Sequence, residues 1–374
     1  ERRIELVNGV EGLYLAPISL ADAKQRKGRA GRTKPGIYID HCDAYDRLEF
    51  PKAEILRTRL DQTVLRLAEA GIDAEELTFF HQPDRTVIHE AKRALKALGC
   101  MDPDGEVTRK GQRVSKMPIS VETACMVIEA EKRGVVDDVL TIAAILEIGE
   151  ITSRKDEKGN PSFIWRELCP DEIESDLLAQ LAVFKGAGEI KKEDLRKRGV
   201  HVKAYFQAKE VRRHLAESLR GKVRDFRSSG KREDILRSVC AGMVDHLYAY
   251  DSGEYRNGDG ISRQLNRESV ICAAEWLVGI PWDLQVKTRR GGMVTLHLVR
   301  MATKVNPDWL AEVAPQLVEK KVGLRPRYDS LEDTVVSTTQ VCFNGRVVKE
   351  ETVKDTEHPE AADLFCAWLA GQMV

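Results

Sequence analysis

The sequence predicts a multidomain α+β protein: the tail of a parallel α/β domain, then a winged helix, a helical bundle and an OB-fold-like β-barrel. Three observations carry this. The chain has 374 residues, more than one ordinary hydrophobic core organises, which suggests two to four domains. Helical spacing of apolar residues runs from Ala53 to about Tyr250, and short strand-like segments separated by glycine pairs follow. The first 48 residues have a different pattern, with β-like pieces on either side of a basic helix.

Composition narrows the class. Hydrophobic residues at 42% and charged residues at 32% exclude a largely disordered chain. No apolar run approaches the roughly 20 residues of a membrane span. The eight cysteines form no CxxC pair, so neither a zinc site nor a disulfide framework is indicated, and a reducing, cytoplasmic setting is expected. Net charge is −1, but it is unevenly spread. From Lys185 to Arg237 there are 17 Lys or Arg against 8 Asp or Glu, and from Gln285 to Lys304 five against none. The chain opens at Glu1 and its first methionine is Met101, which leads to the expectation of a piece of a longer protein.

In residues 1–48, Leu13 to Leu15 and Gly36 to His41 read as strands around a glycine-bearing basic helix, the end of a parallel α/β domain. In residues 49–117, Leu56, Leu60, Val64 and Leu67 share a helical face, as do Ile88, Ala91, Leu95 and Leu98. Asp102-Pro103-Asp104-Gly105 then turns between two short strands, so that helices followed by a hairpin describe a winged helix. Residues 118–250 read as helices over 121–132, 135–148, 171–184, 202–219 and 232–247. Residues 251–348 carry strands at 269–277, 284–288, 293–304 and 334–343, a pattern that suggests a small barrel. Residues 349–374 read as an acidic linker and a C-terminal helix from Pro359.

The stretch richest in chemistry is Gln25-Arg26-Lys27-Gly28-Arg29-Ala30-Gly31-Arg32. Two arginines three apart on a helical turn can point at one anion, and guanidinium forks suit phosphate oxygens. Gly28 and Gly31 remove bulk, so a second surface can come close. Further along, Lys287, Arg289 and Arg290 precede Gly291-Gly292 at a predicted strand turn, where a positive loop can follow a phosphate backbone; a charged hairpin tip with no partner is the competing reading. The 185–237 stretch interleaves its cations with acids, which favours a solvated face. Trp276, Trp282 and Trp309 are expected in the core. The eight histidines show no metal-ligand spacing.

QRKGRAGR resembles motif VI of superfamily 2 helicases. The resemblance implies that Gln25 helps hold the attacking water or the γ-phosphate of ATP, and that Arg29 and Arg32 act as arginine fingers between two RecA-like domains. Glu54 to Leu60 resembles the E-I-x-R-x-x-L start of the DEAH-box winged helix. Ala94 to Gly99, Asp102 to Gly105 and Val107 to Gly111 are similar to the A-L-x-x-L-G and D-x-x-G-x-L-T-x-x-G runs of that family. Met117-Pro118-Ile119 resembles its entry to a helical ratchet-like domain, and Val305 to Pro315 its late OB-fold segment.

By this resemblance the chain is the C-terminal half of a DEAH-box ATP-dependent RNA helicase, and the bacterial HrpA/HrpB-like branch is one form the resemblance allows. The division implied is 1–48, end of the second RecA-like domain; 49–117, winged helix; 118–250, ratchet-like domain; 251–348, OB-fold-like barrel; and 349–374, linker and helix. ATP and Mg²⁺ are implied for the full-length protein and for none of it in this stretch alone, since neither GxxxxGK[ST] nor DEAH occurs in the chain. The implied partners are single-stranded RNA, with DNA left open, and a first RecA-like domain upstream. A protein partner on the barrel or C-terminal helix also stays open, and no membrane is implied. Two rivals are a DNA helicase of the Ski2-like branch, and a non-enzymatic module that binds nucleic acid or recruits partners.

Overall fold

The computed structural model describes residues 2–7, 10–15, 17–41, 47–152, 162, 164–168, 173–258, 260–288, 292–343 and 345–372. The chain forms two compact units, Glu1–Lys304 and Val305–Val374.

The first unit opens with an antiparallel hairpin, β1 (Arg2–Val7) and β2 (Val10–Leu15), followed by helix α1 (Leu20–Lys27). The expected strand at Gly36 to His41 does not form. This segment pairs with no strand, and Ile37 and Ile39 are exposed. A strand needs at least one partner for its backbone N–H and C=O groups, and none of the described residues supplies one.

Next come α2 (Asp61–Glu69), α3 (Arg85–Ala97) and α4 (Arg109–Ser115). The apolar face expected on the second of these is buried as Ile88, Ala91 and Leu95, with Leu98 at its end. The aspartate-led turn closes through Glu106 N–H donating to Asp102 Oδ1 at 2.9 Å, and one bridge joins Met101 to Val107. Leu56 is not on the first helix. It ends a single 3₁₀ turn, Glu54–Leu56, after which Arg57 leaves helical geometry, and α2 begins only at Asp61.

The bundle consists of α5 (Val121–Arg133), α6 (Val136–Ile148), α7 (Ile164–Leu168), α8 (Asp176–Gly186), α9 (Lys192–Lys197), α10 (Val202–Ser218) and α11 (Arg232–Met243). α5 is buried from Ala124 to Ala130 and α6 from Asp138 to Ile145. The close pairing of α5 with α11 depends on Gly242, where a Cβ would stand 2.2 Å from Met126 Cγ and 2.5 Å from the Glu122 carbonyl oxygen. The loop expected at Gly159 to Pro161 lies outside the described residues.

Five strands then close on themselves: β3 (Leu247–Asp251), β4 (Glu254–Arg256), β5 (Ser262–Leu265), β6 (Trp276–Lys287) and β7 (Met293–Lys304). β3, β4 and β5 form an antiparallel meander. β5 pairs parallel with β7, β7 antiparallel with β6, and β6 antiparallel with β3. Tyr248, Tyr255, Ile271, Ala274, Leu277, Val299 and Ala302 fill the ring. Residues 269–275, expected as strand, are irregular, and their role is to deliver Ile271 and Ala274 to this core. β6 outruns the ring: its start pairs with β3, whereas Asp283 and Leu284 pair in parallel with Gly12 and Leu13 of β2.

The bundle is fastened to the ring at the start of α8. Asp176 is 8% exposed, and its carboxylate accepts from Ser269 Oγ (2.9 Å) and from the backbone N–H groups of Val270 (2.7 Å) and Ala302 (2.8 Å). Ser175 and Thr303 hydroxyls meet beside it at 2.7 Å.

The second unit holds the short helix α12 (Leu310–Val313) and an antiparallel sheet of β8 (Val318–Asp329), β9 (Thr334–Phe343) and β10 (Arg346–Lys354). It ends with α13 (Ala361–Gln372). The strand-rich region expected as one barrel over 251–348 is therefore carried by two sheets. The acidic stretch expected as a linker is largely the edge strand β10, held by cross-strand contacts such as Gln340 Nε2 to Glu350 Oε2 at 2.9 Å. Among the described residues no helix is long and apolar enough to cross a membrane.

Candidate nucleotide and nucleic-acid sites

The arginine motif lies at the end of α1 and in the turn beyond it. A capping box starts the helix: Ser19 Oγ accepts from Asp22 N–H at 3.0 Å while Asp22 Oδ2 accepts from Ser19 N–H at 3.3 Å. The first turn is tied to the chain ahead of α2 by Leu20 N–H to the Leu48 carbonyl (2.9 Å) and Ala21 N–H to that of Glu49 (3.0 Å). Past Gly28 the chain keeps turning, with Arg29 N–H on the Arg26 carbonyl and Ala30 N–H on that of Lys27.

Gln25, Arg29 and Arg32 are all exposed, and neither arginine makes an ion pair among the described residues. The two motif glycines face open space. A Cβ on Gly31 would meet nothing within 4 Å, and one on Gly28 only carbonyl oxygens of its own helix at 3.5 and 3.6 Å. Among the described residues nothing uses the room they leave. Gly36, which the sequence did not single out, is the one under steric pressure: a Cβ there would lie 1.7 Å from the Ala30 carbonyl oxygen. The chain doubles back directly over the arginine turn and braces it.

The second candidate site is the β6–β7 turn. Lys287 is exposed and forms the last rung of the pair, opposite Met293. Thr288 N–H donates to the Gly292 carbonyl at 2.8 Å. Arg289 and Arg290 lie outside the described residues. Met293, Val294 and Leu296 are exposed beside the turn. Trp276 and Trp309 are buried as expected; Trp282 is half-buried, with the Arg300 guanidinium 4.2 Å above its ring. Near the turn, Asp283 Oδ1 faces the fully buried Arg263 at 3.3 Å and His297 Nδ1 at 2.8 Å, so β5, β6 and β7 are locked where β6 leaves the ring.

The two sites are linked by one sheet. Because β2 runs parallel to β6 with Leu13 opposite Leu284, the end of β2 that leads to α1 and the end of β6 that leads to Lys287 point the same way.

A third cluster was not visible in the sequence. The Arg59 guanidinium reaches Asp61 and Glu122, each at 2.8 Å, Asp245 at 3.5 Å and His246 Nε2 at 3.2 Å. Burial, opposed by Arg59, pushes the carboxyls of Asp61 and Asp245 up to about 6, and burial lowers His246 to about 3. A cavity of about 360 Å³ opens beside it, lined on its apolar side by Met126, Leu146, Met243 and Ile280.

No family model matches the chain. It is 30% identical over 320 residues to the pre-mRNA-splicing factor ATP-dependent RNA helicase prp22 of Schizosaccharomyces pombe, an alignment that covers 82% of this chain and 26% of that protein. It is 27% identical over 365 residues to the ATP-dependent RNA helicase HrpA of Escherichia coli, covering 90% of this chain and 27% of HrpA. The chain is a relative of the DEAH-box RNA helicases. It spans about a quarter of the length of these curated relatives. In fold it is similar to the E. coli DExH-box NTPase HrpB, with a TM-score of 0.56 and 21% identity over 97% of this chain and 39% of that one. The two sequence similarities agree with the DEAH-box helicase resemblance, and the HrpA match with the HrpA/HrpB-like branch, expected from the sequence.

Proposed function

We propose that this chain is the motif VI and nucleic-acid-binding portion of an ATP-dependent RNA helicase that translocates on single-stranded RNA and unwinds or remodels RNA. The observation that carries the reading is the arginine turn: Arg29 and Arg32 are exposed and, among the described residues, make no ion pair, on glycines whose open side no described residue fills. Such a surface suits closure against a second domain that holds nucleotide. Gln25, Arg29 and Arg32 would then complete the γ-phosphate site of ATP, whose Mg²⁺ and phosphate loop belong to a first RecA-like domain. Guanidinium groups there stabilise charge that develops in phosphoryl transfer. By itself the chain would neither bind nor hydrolyse ATP.

The named domains belong to the same proposal. A five-strand ring whose first three strands meander and whose third and fifth pair in parallel is the arrangement of an OB-fold. In that fold the loop between the last two strands commonly contacts nucleic acid, and this is the turn that carries Lys287, Arg289 and Arg290. Residues 49–117 read as the winged helix and 118–250 as the ratchet-like domain, in a cytoplasmic protein. The strand ring argues against the Ski2-like alternative.

The test is ATP turnover with RNA in the full-length protein. Arg29→Ala or Arg32→Ala should slow hydrolysis about 10³-fold or more and weaken nucleotide binding much less. Turnover near the wild-type rate would remove that arginine from the mechanism. A full-length protein with no RNA-stimulated turnover would leave the non-enzymatic binding module as the better reading.

A further inference from the structure

The stretch from Lys191 to Arg213 is dense in cations, and the structure sorts them into two groups. Lys197 pairs with Asp194 (3.3 Å), Arg198 with Glu167 (3.0 Å), Arg213 with Glu210 (2.9 Å) and Glu217 (3.0 Å), and Arg212 with Asp137. Lys191, Lys192, Lys203 and Lys209 make no ion pair among the described residues. Three of them, Lys192, Lys203 and Lys209, lie about one aromatic ring.

Phe206, on α10, is 46% exposed. Lys192 Nζ lies 5.7 Å from its ring centroid, and Lys203 and Lys209 flank it one helical turn away on either side. The ring stands on a firm base. Its edge packs on Tyr205 at 5.3 Å, Tyr205 is 2% exposed, and Tyr205 in turn meets Phe184 of α8 at 5.4 Å. Lys209 Nζ sits 5.0 Å from the Tyr205 centroid. An aromatic column thus runs from the bundle core to the surface and ends in an exposed ring among unpaired lysines.

We propose that Phe206, with Lys192, Lys203 and Lys209, is a binding platform for single-stranded RNA on the exposed face of α9 and α10, separate from the β6–β7 turn. One base stacks on the Phe206 ring and the lysines take flanking phosphates. The charge pattern selects a polyanion. The flat apolar ring selects one with unstacked bases, since stacking is sequence-tolerant and worth most when the base is already free. A duplex offers the lysines phosphates but no open base. The choice of RNA rests on the helicase reading above, and the experiment separates the two.

Fluorescence anisotropy of the 374-residue chain with a labelled oligouridine RNA supplies the test. Phe206→Ala should weaken binding about five-fold or more, and Phe206→Tyr should restore it. Binding of a blunt RNA duplex should be equal in Phe206→Ala and wild type. The triple variant Lys192→Gln, Lys203→Gln, Lys209→Gln should lower the slope of log affinity against log salt by about 2, at about 0.7 per lost phosphate contact. This variant also covers the case in which Phe206→Ala disturbs the column beneath it. Single-strand affinity unchanged by Phe206→Ala, in a wild-type protein that does bind, overturns the platform and leaves the helicase reading standing. Binding lost in a Lys287, Arg289, Arg290 triple-alanine variant but kept in both platform variants does the same. No binding of RNA by the wild-type chain overturns both.

Discussion

At the scale of single residues, the glycine inside the arginine motif and the one just beyond it differ in kind, and substitution should tell them apart. Gly31→Ala adds a methyl group that meets nothing within 4 Å in this chain, so stability should change by less than about 0.5 kcal/mol. In the full-length protein the same change should slow ATP hydrolysis, because the methyl group would stand where the second domain closes. Gly36→Ala places a Cβ 1.7 Å from the Ala30 carbonyl oxygen, inside any contact distance. The arginine turn must move, at about 1–3 kcal/mol. Denaturant titration with hydrogen exchange over residues 28–32 checks both. A Gly31→Ala chain as destabilised as Gly36→Ala would mean that the open space is filled. The motif itself was legible in the sequence because its chemistry is local, with charges and glycines at fixed spacing. Gly36 was not, because its partner Ala30 is brought to it by a reversal of the chain that no local pattern encodes.

At the scale of elements, helices were read well and strands unevenly. α5, α6 and α10 lie within one residue of their expected spans, since apolar spacing and caps state a helix locally. The irregular 269–275 was read as strand for its apolar residues, yet Ile271 and Ala274 enter the core from a loop. Residues from 349 onward read as a linker for their acids, yet 349–354 belong to the edge strand Arg346–Lys354, a position where exposed charge is favoured because it discourages further pairing. Least legible of all was Asp176. It was expected within a helix spanning 171–184, where an acid reads as solvated. Its carboxylate instead holds two backbone N–H groups and a hydroxyl of the strand ring. Asp176→Ala leaves those donors buried without an acceptor, and should destabilise the first unit by about 3 kcal/mol or more. Asp176→Asn keeps one acceptor oxygen and should lose less. A loss under about 1 kcal/mol for the alanine variant, measured by urea titration, would show that water replaces the carboxylate.

At the scale of the whole first unit, the Arg59 cluster joins the chain ahead of α2, the start of α5 and the end of α11, and it gives that junction a dependence on pH. Asp61, Glu122 and Asp245 face one guanidinium, so negative charge exceeds positive at a partly buried junction. Burial, only partly offset by Arg59, raises Asp61 and Asp245 to about 6 from an ordinary 3.8. A carboxyl raised in the folded state contributes stability that is full below its unfolded value and is lost as pH rises through its folded one. His246 acts in the opposite sense. Burial, aided by Arg59, lowers it to about 3 from 6.5, so its contribution is present above 6.5 and is lost as pH falls. Between about pH 4.5 and 6 the folded state therefore holds two carboxyl protons that the unfolded chain has released, and refuses one imidazole proton that the unfolded chain holds. Above about pH 5, where Glu122, which burial would raise but Arg59 holds below its ordinary value, is ionised in both states, the net excess of about one proton should make this junction firmer as pH falls, by at most about 1.4 kcal/mol per pH unit. Other carboxylates titrate in the same range, so the measurement is a difference between variants. Asp245→Asn removes one of the raised groups and keeps its shape. Near pH 7.5 it should be more stable than wild type by about 1 kcal/mol or more, since the upward shift, already net of the Arg59 attraction, reflects the cost of the charged carboxylate there. The advantage should shrink toward zero near pH 4.5, where the wild-type carboxyl is itself neutral. Thermal unfolding of the two chains from pH 4.5 to 7.5 reads this directly. A variant less stable than wild type at pH 7.5 would show that the Arg59–Asp245 attraction outweighs burial, reversing the sign assigned to the junction.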